Sequence, residues 1–140
     1  MFLIDTNVIS EVRKRERADP GVAAFFRDIA SNQEAVFLSA VTVGELRRGA
    51  EIIRHRGDRP QAQQLEAWLE ELLREYHDRV LSFDADAAQV WGRLRAPNPQ
   101  HVIDKQIAAI ALINDLTVVT RNVGDFANTG VKLRNPFAMP

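Results

Sequence analysis

The chain has 140 residues, 46% of them hydrophobic, a formal net charge of −1 and no cysteine. This size and apolar content suit one folded domain with a real core and exclude wholesale disorder, while the missing cysteines exclude disulfides, thiolate metal sites and thiol nucleophiles and fit a reducing cytoplasm. No stretch reaches the roughly 20 apolar residues of a membrane span, the apolar start is too short for a signal-peptide core, and the near-zero charge means that any nucleic-acid role must rest on local patches.

Phe2-Leu3-Ile4 is an apolar run cut off by Asp5, and Thr6-Asn7 lead into a second apolar pair. The pattern predicts a buried strand whose C-terminal tip is Asp5, followed by a tight turn into a helix over 7–14 with Val8, Ile9 and Val12 on its apolar side. A basic run over 13–17 leads to Asp19-Pro20, an N-cap and first-turn signal for a helix reaching about Ser31. A second short buried strand is expected over 35–39. The helix after it starts at Val41 or Thr42 and runs toward Ile53. The segment 54–60 reads as a charged break. From Gln61 to Tyr76, the apolar residues Leu65, Trp68, Leu69, Leu72, Leu73 and Tyr76 recur at helical spacing. A third strand over 79–83 precedes Asp84, which caps a helix over 85–95. Two prolines, Pro97 and Pro99, end that helix. The segment 103–114 is apolar around nearly its whole circumference and predicts a centrally buried helix. Leu116 to Thr120 is a β-branched fourth strand, 121–126 a turn, and Val131-Lys132-Leu133 a last short strand.

Strands alternating with helices imply βαβ units: an α/β domain spanning 1–140, with a short, mostly parallel sheet of four to five strands and helices on both faces. In such a sheet, each strand ends on the edge where the next helix begins. Asp5 tops the first strand, Glu45 is placed in the first turn after the second, Asp104 opens the buried helix, and Asp125 lies just past Thr120 at the end of the fourth strand. Four carboxylates from distant segments are therefore expected on one edge, where ligands bind in open α/β sheets. Each has a structural role open to it: Asp5 as a helix cap, Glu45 in a capping box with Thr42, Asp104 at a favourable dipole position, Asp125 as a turn residue. Carboxylates that do converge must take up protons or recruit a cation. All-oxygen donors favour Mg²⁺ or Mn²⁺, an ion suited to phosphate chemistry.

Asp5-Thr6-Asn7, Ser39 to Gly49 with Glu45 at its centre, Asp104 ahead of Ile107-Ala108-Ala109, and Thr120-Arg121-Asn122 with Asp125-Phe126 resemble the PIN-domain ribonucleases, more narrowly the VapC-type toxins of type II toxin–antitoxin pairs. The resemblance runs the full length in the family's order, and it implies the three-layer α/β/α PIN fold. One departure is Ile110, where relatives often carry Thr; it reads as packing. The resemblance implies Mg²⁺- or Mn²⁺-dependent endoribonuclease activity, with Asp5, Glu45, Asp104 and Asp125 as the catalytic, metal-holding quartet, Asp125 being the least uniform of the four. It implies that Thr120 braces the first Asp and that Thr6, Asn7, Arg121 and Asn122 support the site. Hydrolysis would then proceed by in-line attack of water, leaving a 5′-phosphate and a 3′-OH, with no protein nucleophile. It also implies a small antitoxin partner and a homodimer. The helix bearing Trp68 and Leu72 could line the antitoxin's groove, although core packing explains the same residues.

RNA held near acids needs cations on the rim. Arg13, Lys14, Arg15 and Arg121 are the preferred phosphate contacts because they leave the acidic edge; Arg17, Arg47, Arg48 and the 54–59 arginines are further cations that solvent exposure also explains. His55, His77 and His101 lack ligand spacing and read as surface residues. Trp68 and Trp91 read as core or interface. A receiver-like signalling domain would need an Asp ending a middle strand, where this chain has Ser39 and Phe83; a dehalogenase-like phosphatase would need Asp-x-Asp, where it has Asp5-Thr6-Asn7. A non-catalytic PIN-fold interaction module is disfavoured by the presence of all four acids.

Overall fold

The computed structural model describes residues 1–138. Five parallel strands, β1 (Phe2–Ile4), β2 (Val36–Ser39), β3 (Val80–Leu81), β4 (Thr117–Val119) and β5 (Leu133–Arg134), form one sheet in the order β3-β2-β1-β4-β5. Six helices connect them: α1 (Thr6–Val12), α2 (Pro20–Asn32), α3 (Ala40–His55), α4 (Arg59–Glu75), α5 (Ala85–Arg95) and α6 (Val102–Ile113). The chain adds strands outward from β1 on one side and then crosses to build β4 and β5 on the other. The direction of winding therefore reverses between β1 and β4, the place where such sheets open a crevice at their strand ends.

Alternation along the strands builds the layers. Phe2, Ile4, Val36, Leu38 and Val119 point to one face and pack with Val8 and Ile9 of α1, Val22, Phe25 and Ile29 of α2, and Leu69 and Leu72 of α4. Leu3 and Val118 point to the other and meet Ala87 of α5, the α6 stretch Ile107 to Ala111, and Phe126. Helix α3 packs against both α4 and α6, closing the side of the sheet.

Most element ends follow from side-chain caps. Asp19 accepts from Gly21 N at 2.8 Å and Val22 N at 3.2 Å, and Asp84 accepts from Ala87 N at 2.9 Å, both as the sequence predicts. Helix α3 departs from prediction: Ser39 is its N-cap, accepting from Thr42 N at 3.0 Å, so the helix begins at Ala40 and Glu45 lies in the second turn. The capping box that offered Glu45 a purely structural role does not form, because Thr42 N donates to Ser39 instead. The charged break shrinks to 56–58, because α3 runs on to His55 and Asp58 caps α4 by accepting from Gln61 N at 3.1 Å. The last strand sits at Leu133–Arg134 rather than 131–133, where it pairs with Val118 and Val119. Helix α6 is buried from Ile107 to Ala111, but Val102, Ile103, Leu112 and Ile113 at its ends are exposed, as is Val12 of α1. Among the described residues, no helix is long and apolar enough to cross a membrane.

Candidate metal and nucleic-acid site

Asp5 follows β1 directly, and its backbone N–H donates to Val119 O at 2.9 Å, joining it to the tip of β4. Asp5 is 3% exposed, and its carboxylate accepts three hydrogen bonds. Oδ1 accepts from Thr6 N at 2.8 Å; Oδ2 accepts from Thr120 Oγ1 at 2.8 Å and from Asn7 Nδ2 at 3.2 Å. Thr120 Oγ1 in turn accepts from Asn122 N at 3.0 Å, and Asn7 Oδ1 accepts from Arg121 N at 3.0 Å. One hydroxyl and one amide thus weld the ends of β1 and β4 around a carboxylate. Burial pushes the Asp5 carboxyl up from its ordinary range, the three donors pull it down, and the upward push prevails. The carboxylate oxygens have roughly four lone-pair sites, so three hydrogen bonds leave room for a cation.

Hydroxyls extend the network under α3. Thr6 Oγ1 donates to Thr42 Oγ1 at 3.2 Å, and Ser39 Oγ donates to the same atom at 3.1 Å. This ties the first turn of α1 to the start of α3 and fixes where α3 leaves the sheet. One turn further on, Glu45 reaches a cleft of about 310 Å³ that it shares with Asp5, Thr6, Asn7, Asp104 and Asn122. The second-turn placement therefore does not remove Glu45 from the acidic edge.

Asp104 is in the first turn of α6, with its side chain 24% exposed. Its carboxyl is pushed up from 3.8 to about 6, first by burial and then by the charges of Asp5 and Asp125. Asp125 lies in a short 3₁₀ turn, Val123–Phe126, past β4. Buried Phe126 anchors that turn in the α6 face of the core.

The residue that sequence reading missed is His101. Its ring is exposed, as expected, but it does not lack ligand spacing, because it stands beside two of the acids: Nδ1 is 3.9 Å from Asp104 Oδ2 and 3.8 Å from Asp125 Oδ1. Ligand atoms of His101, Asp104 and Asp125 all lie within 4.8 Å of one another. The signal was available, since residues three apart at a helix start share a face. Four expected cations are also placed. Arg13 borders a groove containing Glu45 and Trp68, and Arg15 is exposed in the turn after α1. Lys14 pairs with Glu11 at 2.9 Å, and the Arg121 guanidinium stacks 4.6 Å from the Phe137 ring centre. Arg47 and Arg54 face away from the site: both grip Glu66, at 2.7 and 2.9 Å, and join α3 to α4. Trp91 donates to Val102 O at 3.1 Å and Trp68 packs beside the core, so both serve packing.

The donors fit a hard divalent cation. Asp104 and Asp125 offer carboxylate oxygens with the His101 imidazole beside them, Asp5 and Glu45 line the same edge, and burial, then the charges of Asp5 and Asp125, holds the Asp104 carboxyl above its ordinary range.

Comparison with known proteins gives the family. The PIN domain family model matches residues 2–132. The plasmid stability protein StbB of Pseudomonas syringae pv. tomato is 38% identical, covering 98% of this chain and 99% of that one. The VapC ribonuclease Y4jK of Sinorhizobium fredii is 37% identical, with 98% of each chain covered. Toxin FitB of Neisseria gonorrhoeae is 35% identical over 98% of this chain and 99% of its own. The crystal structure of FitAcB from the same organism superposes with a TM-score of 0.83 at 34% identity, covering 97% of this chain and 98% of that one. With a family model matched along nearly its whole length, and full-length relatives at this level of identity, the chain belongs to the PIN-domain family, alongside the VapC- and FitB-type toxins.

Proposed function

We propose that this protein is a divalent-metal-dependent endoribonuclease that acts as the toxin of a toxin–antitoxin pair. The observation that carries the proposal is the cleft lined by Asp5, Glu45 and Asp104 from three separate segments, with Asp125 and His101 gathered at Asp104. The ribonuclease activity named for the Sinorhizobium relative supports the same reading.

When bound, Mg²⁺ or Mn²⁺ would neutralise charge on a phosphodiester and lower the pKa of water. Asp5, Glu45 and Asp104 would hold it, with Asp125 completing the set. The chain's own contribution is placement. Thr120, Asn7 and the Thr6 N–H fix the Asp5 carboxylate at the wall of the cleft. With its carboxyl raised to about 6, Asp104 keeps its proton to higher pH than an ordinary carboxylate, so cation binding near or below that pH is coupled to release of the proton. Arg13, which shares a groove with Thr6 and Glu45, and Arg121, whose backbone is tied to Asn7, would contact backbone phosphates, with Lys14 and Arg15 extending that rim. An apolar groove of about 530 Å³ between α1, α2 and α4, lined by Val12, Phe26, Ile29, Leu72 and Tyr76, would receive the antitoxin's apolar segment. By the family resemblance, the active assembly would be a homodimer.

The test is cleavage of total bacterial RNA by purified protein. Cutting should require Mg²⁺ or Mn²⁺, stop with EDTA, and be lost in Asp5→Asn with an unchanged circular dichroism spectrum. Full activity in that variant refutes the proposal.

A further inference from the structure

We infer that His101 is a nitrogen donor to the cation at Asp104 and Asp125, giving this site a preference for first-row transition ions such as Mn²⁺ over Mg²⁺. The inference rests on the metal-site reading above and extends it to a residue outside the acidic quartet.

Geometry carries the argument. The Nδ1 separations of 3.9 Å from Asp104 Oδ2 and 3.8 Å from Asp125 Oδ1 are too long for hydrogen bonds, so the three groups face one another across a gap without closing on it. Donors sharing an ion with bonds of about 2.1 Å stand roughly 3.0 Å apart at right angles and about 4.2 Å apart when opposed, a window that contains both separations.

The backbone points the same way. His101 sits at the N-cap of α6 in the left-handed region, φ 56° and ψ 54°, yet makes no side-chain cap hydrogen bond. A non-glycine residue there costs stability, and here no capping bond offsets it. What the conformation does achieve is to turn the ring toward the two carboxylates. Lys105, 3% exposed, donates through Nζ to Gln100 O and through its backbone N–H to His101 O at 3.0 Å, which fixes the segment from below. Imidazole nitrogen binds Mn²⁺ and the later divalent ions better than it binds Mg²⁺, which prefers oxygen.

The experiment uses tag-free, full-length protein. Pulsed EPR of bound Mn²⁺ should show coupling to a directly coordinated ¹⁴N, absent in His101→Asn. Asn is the replacement of choice because it tolerates the left-handed backbone. By calorimetry, His101→Asn should weaken Mn²⁺ binding about tenfold or more while changing Mg²⁺ binding only about twofold. Mn²⁺ that binds wild type but not Asp104→Asn, without a ¹⁴N signal, overturns the role of His101 and leaves the acidic site standing. Mn²⁺ that fails to bind wild type, or binds Asp104→Asn equally well, overturns both.

Discussion

Replacing Asp104 with Asn should make the metal-free protein more stable, although it removes a group proposed to hold the cation. The Asp104 carboxyl is raised from 3.8 to about 6 by burial and by its acidic neighbours. A rise of about two pH units, at about 1.4 kcal/mol each, is a cost near 3 kcal/mol for ionising it in the fold. The side chain is 24% exposed on an open cleft, where water and salt screen the neighbours, so about 1–2 kcal/mol is the expected net. The sign follows from linkage. The folded value lies above the unfolded one, so wild type is not penalised below about pH 4, loses stability between about pH 4 and 6, and carries the full penalty above that. Urea unfolding in EDTA should therefore find Asp104→Asn more stable at pH 8 by about 1–2 kcal/mol, with the advantage fading toward pH 4. A variant less stable than wild type at pH 8, or a gain independent of pH, would refute the electrostatic crowding inferred here.

Thr120→Val deletes the hydroxyl that donates to Asp5 Oδ2 and accepts from Asn122 N, and a bond to a charged buried group is worth about 1.5–3 kcal/mol. Chemical denaturation near pH 7.5 should show a loss of about 2 kcal/mol, shrinking at low pH as Asp5 takes up a proton; a loss below about 0.5 kcal/mol would contradict the bracing role. Gly21→Ala should displace the segment 136–138, because a Cβ there would stand 2.6 Å from Ala138 N and collide with Pro136 O. Faster proteolytic trimming of the C-terminus, with α2 intact, is the readout.

The parallel sheet was legible in the sequence because each strand is a short apolar run ending at a polar residue, and because Asp19 and Asp84 cap helices by the ordinary Asp pattern. Asp5, Glu45, Asp104 and Asp125 could be assigned to one edge by topology alone, since parallel strands send successive helix starts to the same side. Finer detail depended on competition that a linear pattern does not display. Ser39 and Thr42 both suit an N-cap; Ser39 wins because its backbone is still extended at the end of β2, φ −92° and ψ 151°. His101 looked unremarkable because its value comes from a left-handed backbone that turns it toward Asp125, twenty-four residues later. The cations mislead for a similar reason: nothing near Arg47 and Arg54 in sequence shows that Glu66, on the next helix, claims them both.

Anomalous diffraction from a crystal soaked in Mn²⁺ addresses the metal site most directly. The expected result is a peak in contact with Asp104 and bounded by its acidic neighbours Asp5 and Asp125, and no such peak in Asp104→Asn. A wild-type map with no manganese in the cleft at millimolar soak, or a peak that persists unchanged in the variant, would contradict it.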